Sequence, residues 1–245
     1  MNPALLPMFI LPFIMAALMT PSTAPSQPIA NAPTELVHVQ RVAQGEGPAP
    51  LLVLLHGYGS NEHDLFALAD RIPAAWMVVS VRGPLTLGPG SHAWYPVSRQ
   101  GDSIVIDPAV EAESRAAVVD LIARLVKQGS VDARRLVVAG FSQGANLAEN
   151  IALTHPHRVA GFGVFSGRYV QEIAPSVAAR PALAHLKAFV SHGTGDHLLP
   201  ADLAAANRAQ LQALGIPVTY VEDSTAHTIS PAQLDAFVVW LKGIN

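Results

Sequence analysis

The sequence contains no cysteine, so disulfide bonds, cysteine nucleophiles and thiolate metal sites are excluded. It also lacks an excess of basic residues: the formal net charge is −3 at pH 7, whereas a nucleic-acid-binding protein normally has a clustered basic face. Half of the 245 residues are apolar and 18 are glycine, a composition typical of one large globular α/β domain.

Charged side chains are missing from the first 34 residues, and Glu35 is the first to occur. The apolar part, residues 4–19, is short for a membrane span of about 17–25 residues but has the length of a secretory signal core. We therefore expect residues 1–34 to be a signal peptide or a disordered N-terminal segment, and the mature protein to be periplasmic or secreted with no stable membrane span. Small residues suited to cleavage are Ala24, Ala30 and Ala32.

Two features of this segment favour other interpretations. No Lys or Arg precedes the apolar run, and Pro7 and Pro12 interrupt it. In one alternative the start codon is assigned too early, and Met19 opens a short tail on a cytoplasmic protein. In another the segment stays attached as an uncleaved anchor.

Apolar runs of strand length alternate with helical patterns from residue 35 to residue 245. Most of these runs consist of consecutive aliphatic residues, as expected for parallel strands covered on both faces. The alternation predicts one α/β domain with a mostly parallel, doubly wound sheet. The predicted strands are 35–42, 50–57, 75–83, 134–142, 158–167, 186–193 and 217–223, and the predicted helices are 108–128, 144–155, 201–214 and 231–242.

A G-x-S-x-G sequence, Gly140 to Gly144, lies where the fourth of these strands turns into a helix. A turn this sharp crowds its neighbours, so both flanking positions must lack a Cβ. The hydroxyl of Ser142 then projects above the sheet at a helix N-terminus, where a developing negative charge is favoured. The corner therefore predicts a nucleophile.

A serine nucleophile needs a general base and a carboxylate that orients the base, and on this fold the chain order is Ser, Asp or Glu, His. Asp196 follows the strand 186–193, and His227 lies in the loop after the next strand. Glu222, Asp223 and Asp202 are competing acids, but none follows the penultimate strand as Asp196 does.

The reaction also requires an oxyanion hole. One donor is expected to be the N–H of Gln143, the residue after the nucleophile, and the other an N–H from the glycine-rich loop 56–59. A loop of this kind also occurs in phosphate sites, but the sequence has neither G-x-G-x-x-G nor a P-loop lysine, so we expect no nucleotide. His155 and His157 form an H-x-H pair without a third ligand, so we expect no metal, and His56 and His192 are expected to shape loops.

The interval from Arg168 to His185 has only 18 residues, which leaves no room for a helical cap between the strands that flank it. Cover for the site is expected from the long segment 83–107 instead. Within it, Trp94 and Tyr95 have two interpretations: an apolar wall that binds substrate, or residues that pin the segment to the core.

Five segments occur in order along the chain: LLHGYGSNEHDL, RGPLTLGPGSHAWYPV, GFSQGA, HGTGDHLLP and AHTIS. On these segments the chain resembles the phospholipase/carboxylesterase family of α/β-hydrolases, which includes bacterial carboxylesterases and acyl-protein thioesterases, over about residues 35–245. The resemblance implies an α/β-hydrolase fold without a large cap domain, the triad Ser142, Asp196 and His227, and an oxyanion hole from the N–H groups of Tyr58 and Gln143. It implies no cofactor.

We interpret the sequence as a serine hydrolase that cleaves small-molecule carboxylic esters or thioesters of short to medium acyl chains. Lysophospholipase and acyl-protein thioesterase activity are alternatives within the same chemistry. A catalytically silent α/β-hydrolase-fold binding protein is the alternative from another class, and a peptidase is disfavoured because the chain has no room for the additional domain such enzymes carry. The sequence leaves the oligomeric state open.

Overall fold

The computed structural model describes residues 35–100 and 103–244. Its centre is a seven-stranded sheet in which every neighbouring pair is parallel except the first, confirming the mostly parallel doubly wound prediction. The strands are β1 (His38–Arg41), β2 (Ala49–Leu55), β3 (Met77–Val81), β4 (Leu85–Gly88), β5 (Ser91–Ala93), β6 (Val97–Gln100), β7 (Ser103–Ile106), β8 (Val131–Phe141), β9 (Gly161–Phe165), β10 (Lys187–Gly193) and β11 (Val218–Asp223), and the helices are α1 (Glu62–Phe66), α2 (Pro108–Lys127), α3 (Gln143–Thr154), α4 (Arg180–Leu183), α5 (Ala201–Ala213) and α6 (Pro231–Leu241).

The sheet order is β1-β3-β2-β8-β9-β10-β11, with helices on both faces. One core lies beneath α2, α3 and α5, and the other lies beneath α1 and α6. Because both faces are covered, β3 and β9 are buried at every position, and their sequences, MVVSV and GFGVF, do not alternate between apolar and polar residues. The carboxyl ends of the parallel strands all open on one edge, where the loops of a site can meet.

The helix boundaries follow from local chemistry. Asp107 caps α2 by accepting a hydrogen bond from Ala109 N–H, and Ser230 caps α6 by accepting from Gln233 N–H. Pro108 and Pro231 occupy the first positions of those helices, where a missing N–H costs nothing.

The segment 83–107 differs most from a simple helix-and-strand pattern. It forms two antiparallel hairpins, β4–β5 and β6–β7, outside the central sheet. The interval between β9 and β10 holds only a 3₁₀ turn (Gln171–Ser176) and the one-turn helix α4, which agrees with the expected absence of a cap. No helix within 35–100 and 103–244 is long and apolar enough to cross a membrane.

Glu149 is a fully buried carboxyl on α3. Its Oε2 accepts a hydrogen bond from Asn207 Nδ2 on α5 at 2.7 Å, while its Oε1 has no partner in the described part of the chain. Burial raises the pKa of Glu149 to about 8, and the Asn207 hydrogen bond offsets only part of that rise. The side chain is therefore neutral in the folded protein at neutral pH.

We expect the contribution of Glu149 to the free energy of unfolding to fall as the pH rises from about 4.5 to about 8, because the folded state keeps a proton on Glu149 that the unfolded chain has released. Glu149→Gln should remove most of this fall, since glutamine still accepts from Asn207 and does not ionise. Urea unfolding of both proteins between pH 5 and pH 9 measures the effect. The exposed Glu46 provides a matched control through Glu46→Gln. Equal pH dependence in wild type and Glu149→Gln would contradict the prediction.

Candidate active site

Ser142 occupies the corner between β8 and α3. Its backbone has φ 53° and ψ −115°, an unfavourable conformation for a residue with a side chain. Its N–H donates to Phe165 C=O of the neighbouring strand at 2.9 Å, and its C=O accepts from the first turn of α3. These bonds hold the strained corner in place and leave the hydroxyl at the carboxyl edge of the sheet.

The glycines that flank Ser142 are required by close backbone contacts. A Cβ on Gly140 would lie 2.3 Å from the carbonyl group of Gly144. A Cβ on Gly144 would lie 2.0 Å from the carbonyl oxygen of Leu55, at the end of β2. Both φ values are ordinary, so the reason for glycine here is space rather than backbone conformation. The predicted crowding at the corner is confirmed.

The loop after β2 brings Tyr58 to the same edge. His56 begins this loop: its Nδ1 donates to Gly57 C=O at 2.7 Å, and its Nε2 accepts from Gly83 N–H at 2.9 Å. Burial lowers the pKa of His56 to about 4, so the ring is a neutral loop brace at neutral pH. The loop-shaping role expected for His56 is thus confirmed.

The side chain of Gln143 joins the corner to the segment after β5. Its Oε1 accepts from Trp94 N–H at 3.0 Å, and its Nε2 donates to Tyr95 C=O at 2.7 Å. Both bonds are buried. The residue whose N–H was predicted to serve the oxyanion hole therefore also fixes, through its side chain, the segment that covers the site.

Trp94 and Tyr95 have different positions. Trp94 is fully buried, donates its Nε1–H to His56 C=O at 2.8 Å, and packs its ring 5.3 Å from the His56 ring. It pins the segment to the core and does not line the cavity at Ser142. Tyr95 does line that cavity. Of the two interpretations, pinning describes Trp94, and a substrate-facing wall remains open for Tyr95.

Asp196 and His227 meet across two loops. Asp196 Oδ2 accepts from His227 Nδ1 at 2.6 Å, and Asp196 Oδ1 accepts from the N–H groups of Leu198 and Leu199, both at 2.9 Å. Burial alone would raise the pKa of Asp196, but hydrogen bonds from His192, His227 and Leu199 outweigh it and lower the pKa. Asp196 is therefore ionised, and because a carboxylate only accepts, His227 carries its proton on Nδ1.

Asp223, a competing acid in the sequence, has another role. Its Oδ1 accepts from Thr225 N–H at 3.1 Å and from Gln233 Nε2 at 3.0 Å, and its Oδ2 accepts from the Ser230 hydroxyl. The carboxylate thus ties together both ends of the loop that carries His227.

One cavity connects these groups. It has an empty volume of about 700 Å³, part of it open to solvent. Ser142, His227, Tyr58 and Gln143 line it together, and an apolar wall continues from them. The Arg168 guanidinium donates to Ile104 C=O at 3.0 Å and fastens the β6–β7 hairpin at this wall. The wall is formed by Tyr95, Val97, Ile104, Ile106, Leu198 and Leu199.

A metal site is not part of this arrangement. Within the described ranges, no group of three or more His, Asp and Glu side chains is placed to hold a metal ion. His155 lies at the C-terminal end of α3, where its Nδ1 contacts the Thr154 hydroxyl at 2.9 Å.

The close contact at Gly144 gives a prediction for stability. We expect Gly144→Ala to destabilise the protein by about 4 kcal/mol or more, the upper end for single substitutions, because a main-chain oxygen cannot move aside as a side chain can. Gly88→Ala is the control, since nothing lies within 4 Å of its added Cβ and its φ is ordinary. Thermal unfolding and turnover of both variants provide the measurement. Wild-type stability in Gly144→Ala would contradict the close contact.

Comparison with known proteins places the chain in a family. Residues 38–243 match the family described as Phospholipase/Carboxylesterase. Acyl-protein thioesterase 1 of Eremothecium gossypii is 34% identical over 221 residues, which cover 82% of this chain and 91% of that protein. Esterase YpfH of Escherichia coli is 29% identical over 193 residues, covering 73% of this chain and 76% of that protein.

Solved structures share the fold. Esterase PE8 superimposes with a TM-score of 0.74 at 26% identity, covering 86% of this chain and all 100% of that one. The Bacillus cereus carboxylesterase gives a TM-score of 0.75 at 22% identity, covering 88% and 97%. With the sheet and the family match, this means that the chain belongs to the phospholipase/carboxylesterase family and is a carboxylic ester hydrolase with the α/β-hydrolase fold.

Proposed function

We propose that this hydrolase works through an acyl-enzyme on Ser142, with His227 as general base and Asp196 as the carboxylate that orients it. The observation that supports this most directly is the 2.6 Å contact of His227 Nδ1 with Asp196 Oδ2, at the cavity that Ser142 also lines. Holding the proton on Nδ1 leaves the lone pair of Nε2 available to accept a proton from the serine.

In the first half-reaction, His227 takes the hydroxyl proton as Ser142 Oγ attacks the acyl carbonyl carbon. The carbonyl oxygen becomes an oxyanion, which accepts from the main-chain N–H groups of Tyr58 and Gln143. When the tetrahedral intermediate collapses, His227 returns the proton to the leaving alcohol or thiol. Water then repeats the sequence on the acyl-enzyme and releases the acid.

The charge of Asp196 suits this cycle because it stabilises the imidazolium that forms at His227 in each half-reaction. The Ser142 hydroxyl makes no capping bond to α3 and no other hydrogen bond among residues 35–100 and 103–244. Contacts of this kind commonly tighten only when substrate binds, so the proposal places the serine–histidine bond in the substrate complex.

Ser142→Ala should lower turnover by about 10⁴–10⁶, the range for loss of a triad member, without changing the fold. His227→Ala should cost nearly as much, and the double variant should be little worse than either single one, because the residues act as a unit. Ester turnover and fluorophosphonate labelling, read by intact mass, measure this. Ser130→Ala, at an exposed serine, is the control.

If Ser142→Ala kept more than a few per cent of wild-type turnover, the nucleophile assignment would be wrong. If wild-type protein hydrolysed no ester or thioester and resisted fluorophosphonate, the silent binding protein would be the better description.

The apolar wall supports a preference for short to medium acyl chains. Its side chains can contact an alkyl chain that leads away from Ser142, and no capping helix covers the site between β9 and β10. Oxygen esters and thioesters both present an acyl carbon to the serine, and the identity to an acyl-protein thioesterase supports including thioesters. Lysophospholipids are the alternative substrates.

An open site should give saturable kinetics with short to medium acyl esters and no jump in rate where the substrate exceeds its solubility. A matched series of p-nitrophenyl esters and the corresponding thioesters, graded in acyl length, measures both properties. Sharp activation at a lipid interface, or a strong preference for long-chain triglycerides, would instead identify a lipase.

We further propose that residues 1–34 direct export and are removed. The apolar core at 4–19 and the start of the family match at residue 38 support this. Expression of the full chain, fractionation and N-terminal sequencing should find a mature terminus between residues 25 and 33. Intact Met1 protein in the soluble cytoplasmic fraction would contradict it, and a terminus at Met19 would favour a misassigned start.

A further inference from the structure

A second histidine lies beside the Asp196 carboxylate. His192 is near the end of β10, and its side chain is fully buried. Its Nε2 donates to Leu199 C=O at 2.7 Å and lies 3.3 Å from Asp196 Oδ2, the oxygen that accepts from His227. Both groups next to Nε2 are acceptors, so this nitrogen carries a proton.

The main chain of Leu199 contacts both Asp196 and His192. Its N–H donates to Asp196 Oδ1, while its C=O accepts from His192. The His192 imidazole therefore braces the peptide that supports one carboxylate oxygen, and its N–H lies beside the other. Loss of that N–H would free Leu199 and weaken the polar environment of Oδ2 at the same time.

Packing alone does not account for a histidine here. His192 Nδ1 is buried with no hydrogen-bond partner in the described part of the chain, which costs free energy that an apolar side chain of similar size would avoid. Burial lowers the pKa of His192, but its contacts with Asp196 and Leu199 outweigh burial and raise the pKa. The other titratable neighbours are Glu222, its register partner on β11, and His227 beyond Asp196.

We propose that His192 is a positioning residue for acyl transfer, whose Nε2–H holds the Asp196 loop and shares the carboxylate charge with His227. The inference rests on the proposed roles of Ser142, His227 and Asp196. With this N–H in place, the carboxylate is a weaker acceptor for His227. Without it, Asp196 would hold the proton on His227 more tightly, and the base would become available only at higher pH.

Three substitutions at His192, each made in the full chain, distinguish the effect of losing the Nε2–H donor from the effect of changing the side-chain volume. In His192→Gln, the amide nitrogen lies near the position of Nε2. In His192→Asn, the amide does not reach Leu199. His192→Leu has no hydrogen-bond donor. We expect His192→Gln to stay close to wild type. His192→Leu and His192→Asn should lose about 10- to 100-fold in kcat with little change in KM, a range taken from the loss of hydrogen bonds that orient the ligands of metal sites. The acid limb of their kcat/KM profiles should move to higher pH.

His185 supplies a matched control at the amino end of β10. Its Nε2 also contacts main-chain carbonyls, Pro156 at 3.0 Å and Val159 at 3.2 Å. His185→Leu removes the same kind of brace away from Asp196, so it should lower the thermal midpoint without moving the acid limb. Thermal midpoints of all variants show whether each is folded at the assay temperature.

The rate of fluorophosphonate labelling at Ser142, followed against pH, distinguishes this inference from the function on which it rests. If wild type is not labelled, the proposed function fails. If wild type is labelled and His192→Leu and His192→Asn show the same rate and pH profile, the role of His192 is overturned. A shifted profile in His192→Gln equal to that of the other two variants would also overturn it, because the N–H would then not be the operative group.

Discussion

The first turn of α3 lies directly against the carboxyl end of β2, and the rest of the site depends on that contact. The position of a Cβ on Gly144 is 2.0 Å from the carbonyl oxygen of Leu55, so the two main chains meet with no side chain between them. Main-chain contacts of this kind cannot relax by changing rotamers. The corner that carries Ser142 and the loop that carries Tyr58 are consequently set side by side.

The loops of Asp196 and His227 are joined by the same means. A Cβ on Gly193 would lie 2.2 Å from Thr225 C=O, and Gly195 N–H donates to that same oxygen at 3.0 Å. Around these contacts, polar side chains act as braces: the buried His56 and the part-buried Asp223 each hold a loop without contacting the proposed nucleophile. The main-chain contacts fix the distances between the loops, and the hydrogen bonds of the bracing side chains fix the orientation of each loop.

Much of the fold was predictable because parallel strands buried on both faces consist mostly of consecutive apolar residues, which the sequence shows directly. All seven predicted strands belong to the central sheet. The meeting of Asp196 with His227 was also predictable, since the carboxyl ends of parallel strands share one edge. The hairpins within 83–107 were missed, although a Gly-Asp pair such as Gly101-Asp102 between two short runs is a hairpin turn signal. The contacts of the Gln143 side chain reach residues 48 and 49 positions away, which no local pattern reveals. The partners of Asp223 and His192 lie within ten residues of them, but only the folded loops bring the polar atoms together.

The β6–β7 hairpin contributes Val97, Ile104 and Ile106 to the cavity wall while pairing only with itself. Two of its main-chain groups are held by other elements, since Arg168 donates to Ile104 C=O and Glu172 accepts from Ile106 N–H. Its apolar side chains are held as well, because Ile106 belongs to the core and Val97 packs against it. Under the proposed function, exchange of the wall side chains of this hairpin would change which acyl chains the cavity accepts, while the Asp196–His227 hydrogen bond, which lies outside the hairpin, would keep its geometry.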